Sequence, residues 1–139
     1  MNQQKEHLVE LFDHLLGVKN ECSCTIFSEC GLPDMTVKQI AYLKTIDDQG
    51  DVTFSRLAEI TRFSKPTITE MVNKFVRMEC VYRERSTDDR RVLFIRLTEK
   101  GRRIARADRD ALHMVIERMM DSLDATEQDL LIRMLEKAR

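Results

Sequence analysis

The chain lacks the segments that would place a protein in or across a membrane. None of its apolar runs approaches the roughly 20 residues needed to span a bilayer. Residues 1–16 are polar and acidic, without the basic start and apolar centre of a signal peptide. We therefore expect a cytoplasmic protein with no membrane partner.

Recognisable catalytic motifs are also missing. The sequence contains no nucleophile elbow, phosphate-binding loop or HExxH pattern, and His7, His14 and His113 are scattered along it. We expect neither enzymatic activity nor a bound cofactor or metal. No internal repeat, linker or low-complexity segment divides residues 1–139, which fit one domain with a real hydrophobic core.

A strong net charge is absent too, since the chain carries only −1. The charge is nevertheless unevenly distributed. Residues 1–61 hold 5 basic and 10 acidic side chains, residues 62–106 hold 13 and 6, and residues 107–139 hold 5 and 8, which gives net charges of −5, +7 and −3. A basic centre between acidic ends is typical of a protein that presents one face to nucleic-acid phosphates, although a solvated charged surface is the alternative.

Two helices are predicted in the first third of the chain. Residues 5–29 carry an apolar stripe of helical period, which ends before Gly31 and Pro33. Thr36 and Gln39 form a capping box that opens a second helix, and residues 47–50 break it.

The centre of the chain predicts a helix-turn-helix followed by a β-hairpin. Thr53 caps a short third helix, and a tight connection leads to a fourth helix that is capped by Ser64 and has Pro66 in its first turn. Residues 81–85 and 92–97 alternate like strands on either side of a charged turn. A helix followed by a basic hairpin can place one element in the DNA major groove and the other against the backbone or minor groove.

Helices are predicted again at the end of the chain. Thr98 caps a fifth helix over about residues 99–122, and Asp124 with Glu127 opens the last one. The apolar stripes of the first, fifth and sixth helices exceed what one small chain can cover, so we predict a two-fold homodimer on a pseudo-palindromic DNA site. The expected fold is mainly α (α+β): a winged helix-turn-helix with a two-stranded wing, a DNA-binding lobe at approximately 34–104, and N- and C-terminal dimerisation helices at approximately 1–33 and 105–139.

Particular residues give this order of elements a family resemblance. They are Thr36 and Gln39, Leu57 and Ala58, Ser64, Pro66, Thr67 and Thr69, Arg83 and Ser86, Asp89-Arg90-Arg91, and the LTEKG segment that ends at Gly101. With these residues the chain resembles the MarR family of transcription regulators over nearly its whole length. The resemblance implies a transcription repressor that binds double-stranded DNA at a specific sequence. It also implies that a small-molecule effector relieves the repression.

The outward side of the fourth helix offers short donors, acceptors and methyl groups that suit base edges. The candidates there are Ser64, Lys65, Pro66, Thr67, Thr69, Glu70, Asn73 and Lys74. Thr36, Lys38 and Arg56 are candidates for backbone contacts near helix N-termini, and Arg83 for a phosphate or structural contact.

The resemblance also implies that an arginine of the wing enters the minor groove. We assign that role to Arg90, with Asp89 and Arg91 fixing the tip through a charge-assisted pair, although the sequence leaves open which arginine points outward. An effector pocket is implied between the arms and the lobe, for which Leu15, Cys22, Ile26 and Leu43 are candidates that suit the hydrophobic core equally well.

Two alternatives remain open from the sequence. Cys22, Cys24, Cys30 and Cys80 do not form a disulfide framework in a reducing cytosol, but thiols could sense oxidants or a metal on the same scaffold. The other alternative is a winged-helix module that binds protein partners and has no DNA affinity.

Overall fold

The computed structural model describes residues 2–139. In this part of the chain the elements follow the order α1 (Asn2–Glu29), α2 (Val37–Gln49), β1 (Val52–Thr53), α3 (Phe54–Thr61), α4 (Lys65–Arg77), β2 (Val81–Arg85), β3 (Leu93–Leu97), α5 (Glu99–Ala105), α6 (Ala107–Asp121) and α7 (Ala125–Ala138). The predicted mainly helical, winged helix-turn-helix fold is confirmed. None of the helices within residues 2–139 is both long enough and apolar enough to cross a bilayer.

The chain forms two compact units. The helical unit consists of the residues up to Cys24 together with Asp108–Arg139, and the winged unit is Thr25–Ala107. The last turn of α1 and the loop after it belong to this unit because Phe27, Cys30 and Leu32 pack on its core.

The sheet of the winged unit has three antiparallel strands in the order β1-β3-β2. The predicted two-stranded wing is confirmed as the hairpin of β2 and β3. The sheet has one further strand that was not predicted, β1, in which Val52 pairs with Ile95 and Thr53 with Phe94. A strand of two residues is too short to show alternation, so the sequence pattern could not reveal it. The third strand starts at Leu93, one position after the predicted start.

A single core lies between this sheet and the helices around it. The side chains without exposed surface come from α2, α3, α4, the connection after α4, the sheet and α5, and they include Leu43, Val52, Leu57, Ile68, Val72, Cys80, Ile95 and Ile104. The backbone of Cys80 closes one edge of this core, because its carbonyl accepts the N–H of Thr98 at 2.9 Å and lies against Gly101.

Several helix boundaries differ from the sequence prediction, and the first helix starts at Asn2 rather than at residue 5. The second helix runs on through Gln49, and Gly50 ends it with a φ of 69°. The single helix predicted over residues 99–122 is divided into α5 and α6 at Arg106, whose guanidinium donates to both carboxylate oxygens of Asp47 at 2.9 Å. No Gly or Pro lies at this point, so the division follows from tertiary contacts rather than from local propensity.

The helical unit buries little of its own apolar surface. Ser23 is buried at the end of its part of α1, where its hydroxyl lies 3.0 Å from Asp108 Oδ1, and Ala111 and Val115 of α6 are buried as well. Helix α7 has no buried residue. Large apolar side chains are exposed on all three of its helices, and they include Leu8, Leu11, Phe12, Leu16, Leu112, Ile116, Leu130, Ile132 and Leu135.

The end of α4 places a side chain in an unfavourable backbone region. Glu79 follows the helix with a φ of 62°, its N–H donates to Val76 O at 3.0 Å, and the N–H of Cys80 donates to Phe75 O at 2.9 Å. This is a Schellman motif, whose left-handed position usually holds glycine.

We expect Glu79→Gly to raise the free energy of unfolding by about 1 kcal/mol, because glycine avoids the steric cost of the left-handed conformation. The contact between Thr98 Oγ1 and Glu79 O, at 2.7 Å, uses only the backbone and survives the change. Equilibrium urea unfolding at a fixed protein concentration measures the effect. Met78→Gly is the matched control. Met78 has a right-handed φ of −78°, where glycine has no steric advantage, so this substitution should lower the free energy of unfolding.

Candidate nucleic-acid interface

The helix-turn-helix is built by two local caps and one left-handed residue. Thr53 Oγ1 accepts the N–H of Arg56 at 3.1 Å and starts α3, which ends at Arg62 with a φ of 62°. Ser64 Oγ accepts the N–H of Thr67 at 3.3 Å and starts α4. The left-handed residue Arg62 and the cap at Ser64 therefore define the two ends of the turn between the helices.

Helix α4 separates a buried face from an exposed one. Ile68, Val72 and Phe75 are buried, whereas the predicted base-reading side chains are exposed, with the exception of the half-buried Asn73. The exposed set consists of Ser64, Lys65, Pro66, Thr67, Thr69, Glu70 and Lys74. The sequence pattern thus separated the two faces correctly.

The hydroxyl groups on this exposed face already have partners. Thr69 Oγ1 donates to Lys65 O at 2.9 Å, and the hydroxyls of Ser64 and Thr67 lie 2.9 Å apart. A threonine whose hydroxyl is engaged in this way still offers its methyl group, which suits the methyl group of thymine.

Asn73 connects α4 to the wing. The guanidinium of Arg83 on β2 donates to Asn73 Oδ1 and lies 6.0 Å from the ring centre of Phe54. Of the two contacts proposed for Arg83 from the sequence, the structure contains the structural one. Side chains therefore hold α4 and the hairpin to each other.

The tip of the wing is closed by Ser86 and Asp89. Ser86 N–H donates to Val92 O at 2.9 Å, and Ser86 Oγ accepts the N–H groups of Asp88 and Asp89 at 3.2 and 3.3 Å. The carboxylate of Asp89 accepts three hydrogen bonds from Arg91, one from its backbone N–H at 3.0 Å and two from its guanidinium at 3.2 and 3.3 Å.

This arrangement distinguishes the two arginines of the tip. The side chain of Arg91 is paired with Asp89. The side chain of Arg90 is exposed and makes no hydrogen bond or ion pair with any of residues 2–139, while its carbonyl accepts from Arg85 Nη1 at 2.5 Å. Both arginines are exposed, and Arg90 is the one whose guanidinium has no partner among residues 2–139.

The pairing should be visible in the titration of Asp89. Hydrogen bonds from the side chain of Arg91, and then from its backbone N–H, lower the pKa of Asp89 below the usual aspartate value. A lowered folded-state pKa means that the tip is stabilised above the unfolded pKa and loses this stabilisation as the pH falls through the lower value. Carbon-detected NMR titration of the Asp89 carboxyl should show this displacement, and Arg91→Ala should raise the pKa back towards its ordinary value.

Several other cations of the basic centre are paired within the winged unit. Arg96 forms ion pairs with Asp51 and, at 2.7 Å, with Glu84, and its hydrogen bond with Asp51 raises its pKa. Arg103 donates to Glu29 at 2.8 Å. Arg96 thus links β3 to β2 and to the residue before β1, and no local sequence pattern reveals this because Asp51 is 45 positions away. Part of the basic excess is therefore neutralised by carboxylates within the unit.

The predicted backbone contacts lie on two helices. Thr36 forms the predicted capping box with Gln39 at the start of α2, and Lys38 is exposed in the first turn of the same helix. Arg56 is exposed on α3, where its guanidinium lies 3.2 Å from Glu59.

The four effector candidates have different surroundings. Leu15 lines a 410 Å³ apolar cavity between α1, α6 and α7 of the helical unit, and Cys22 is half-buried. Ile26 packs on the core of the winged unit, in which Leu43 has no exposed surface. Their part in effector binding stays a prediction.

The cysteines give little support to thiol or metal sensing. Cys80 is fully buried, and burial raises the pKa of its thiol, which disfavours the reactive thiolate. Among residues 2–139 no three His, Cys, Asp or Glu side chains are grouped so that they could hold a metal ion.

Known proteins resemble both the sequence and the fold. The model of the MarR family matches residues 35–93. Transcriptional regulator HosA of Escherichia coli O157:H7 is 31% identical over 106 residues, which cover 76% of this chain and 78% of HosA.

Two solved structures are similar over almost the whole chain. S. aureus MepR bound to ethidium bromide has a TM-score of 0.67 at 19% identity, and the alignment covers 94% of this chain and 96% of MepR. Streptococcus pneumoniae FabT in complex with DNA has a TM-score of 0.54 at 24% identity, and the alignment covers 99% of this chain and 93% of FabT. These two likenesses concern the fold, whereas the match to HosA concerns the sequence itself. On that sequence match and on the fold, the chain belongs to the MarR family of transcription regulators.

Proposed function

We propose that this regulator binds double-stranded DNA as a homodimer and represses transcription until a small molecule binds to it. Its winged unit reads the DNA, with the first turns of α4 in the major groove and the wing tip in the adjacent minor groove. The helical unit joins the two copies.

The pairing at the wing tip carries the first part of the proposal. Asp89 engages Arg91 and leaves Arg90 as an exposed, unpaired guanidinium at the end of a hairpin that Arg83 ties to α4. A narrow minor groove has enhanced negative potential, which attracts an inserted arginine. FabT, which shares the fold, was solved in complex with DNA and supports the same use of the winged unit here.

Uncovered apolar surface supports the dimer. Phe12 and Leu16 of α1, Leu112 of α6 and Leu135 of α7 are each about half exposed and line the same cavity of the helical unit. Exposed apolar clusters of this kind mark interfaces in soluble proteins. A second copy would cover them by the same residues in a two-fold arrangement, which matches a pseudo-palindromic site.

Relief of repression would be a shift between conformations. In one conformation of the dimer the two α4 helices have the spacing of successive major grooves, and in another they do not. A ligand that binds better to the second conformation lowers the affinity for DNA. MepR, which shares the fold, has been solved with ethidium bromide bound, and this supports a small-molecule site in the present protein.

Two experiments test the proposal: selection of bound sequences from random DNA, and measurement of the molar mass of the free protein. We expect a palindromic consensus with half-sites about one helical turn apart, and a dimer in sedimentation equilibrium. Leu135→Lys should dissociate the dimer and weaken binding, while Arg133→Lys on the same helix serves as its control. A monomer, or the recovery of no enriched sequence by a folded dimer, would contradict the proposal.

A further inference from the structure

An aromatic side chain is exposed in the turn of the helix-turn-helix. Phe63 lies between α3 and α4 and is 38% exposed. Its ring meets that of Tyr42 on α2 edge-on, with centroids 5.9 Å apart and an interplanar angle of 66°. An edge-to-face pair of this kind is a favoured geometry and fixes the plane of the Phe63 ring.

The same ring contacts a cation. The Nζ atom of Lys38 lies 5.6 Å from the centre of the Phe63 ring, within the range of a cation–π interaction. Lys38 and Tyr42 are four residues apart on α2, so they lie on one face of the helix. Phe63 therefore bridges two side chains of α2 from the neighbouring turn.

Lys38 faces a groove between α2 and the recognition helix. This groove has a volume of 400 Å³, and its lining includes Thr36, Lys38, Thr67, Glu70, Lys74 and Arg77. Three cations against one carboxylate make the lining net positive. A groove of this sign beside the exposed face of α4 suits a phosphate of the DNA backbone.

We propose that Phe63 is a positioning residue for DNA binding, which holds the ammonium of Lys38 in this groove so that it meets a backbone phosphate. The inference rests on the proposed function, because it concerns the same DNA surface. A lysine stem has many rotamers, and fixing them only on binding costs conformational entropy. The ring restricts Lys38 in the free protein and so removes part of that cost, as preorganisation generally does.

A double-mutant cycle tests the inference on the DNA selected above. Phe63→Leu, which keeps an apolar side chain without a π face, should weaken binding about two- to five-fold. Phe63→Tyr should preserve the wild-type affinity. Lys38→Met should weaken binding more strongly and reduce the slope of log K against log salt by about 0.9, the value for one phosphate.

The double variant gives the decisive comparison. If Phe63 acts through Lys38, Phe63→Leu has no further effect in the Lys38→Met background. Additive losses would overturn the inference, since Phe63 would then act on DNA or on the fold by itself. A gain in affinity from Phe63→Leu would overturn it as well, because the ring would then hold Lys38 away from DNA.

Two controls separate this inference from the proposed function. Thermal unfolding of each variant identifies any loss that comes from misfolding. Arg90→Ala reports on DNA binding independently of Lys38. If Arg90→Ala weakens DNA binding and the Phe63 substitutions do not, only the role of Phe63 is wrong. If neither Arg90→Ala nor the Phe63 substitutions weaken DNA binding, the proposed DNA surface itself is wrong.

Discussion

Gly101→Ala should lower the free energy of unfolding by about 3 kcal/mol or more, near the upper end of the usual range for overpacking. A Cβ at this position would overlap the carbonyl oxygen of Cys80 and would lie 2.9 Å from its carbonyl carbon. Both partners are backbone atoms, so no side chain can rotate out of the way. Chemical denaturation at a fixed protein concentration measures the loss.

The surroundings of Gly101 make relaxation costly. The N–H of Gly101 donates to Thr98 Oγ1 at 3.0 Å as part of the cap of α5, and the N–H of Thr98 donates to the same Cys80 carbonyl. Moving α5 away would therefore break the contact that joins the end of β3 to the residue before β2. We expect the loss of stability to be accompanied by weaker protection of the Thr98 amide in hydrogen exchange.

Gly17 offers a matched control for the same substitution. It lies within α1, and an added Cβ would meet no atom within 4 Å. Gly17 is about 180° around the helix from Leu8 and thus opposite the apolar stripe. Gly17→Ala should increase stability by about 0.5–1 kcal/mol. An equal effect of the two substitutions would show that Gly101 is not sterically constrained.

Helix starts were the most predictable feature of this fold. The N-caps Thr36, Thr53, Ser64, Thr98 and Asp124 are all confirmed, each with its side chain accepting an N–H three residues later. A cap depends on residues within one helical turn, so the sequence contains all the information that it needs. The same locality explains why the boundaries of β2 were predicted correctly.

Features that depend on distant partners were not predictable in this way. The division at Arg106 involves Asp47, which is 59 positions away, and β1 exists because Val52 pairs with Ile95. The contact of Lys38 with Phe63 also joins two segments that no local pattern connects.

The wing tip is an intermediate case. An aspartate that accepts the N–H two residues later is a common turn arrangement, so the sequence Asp89-Arg90-Arg91 favours contact with the second arginine rather than the first. This signal was present in the sequence, but the alternatives were left open. The structure pairs Asp89 with Arg91.

Arg90→Ala should reduce affinity for the selected DNA site about 10- to 100-fold, on the scale of one specific arginine contact. Arg90 is the unpaired cation of the tip, and its removal leaves the Asp89–Arg91 pair intact. The wing should therefore stay folded while the contact in the minor groove is lost. Fluorescence anisotropy at several salt concentrations measures both the affinity and its salt slope, which should fall by about 1.

Arg91→Ala is the matched comparison, because it removes the same charge from the adjacent position. It should weaken binding less than Arg90→Ala, since in the proposed function Arg91 only orders the tip through Asp89 and Arg90 enters the groove. Arg90→Lys separates charge from shape: a lysine retains the positive charge but lacks the planar guanidinium, so partial loss is expected. A larger effect of Arg91→Ala would reverse the assignment, and equal losses with equal salt slopes would mean that the tip contributes only a diffuse positive field.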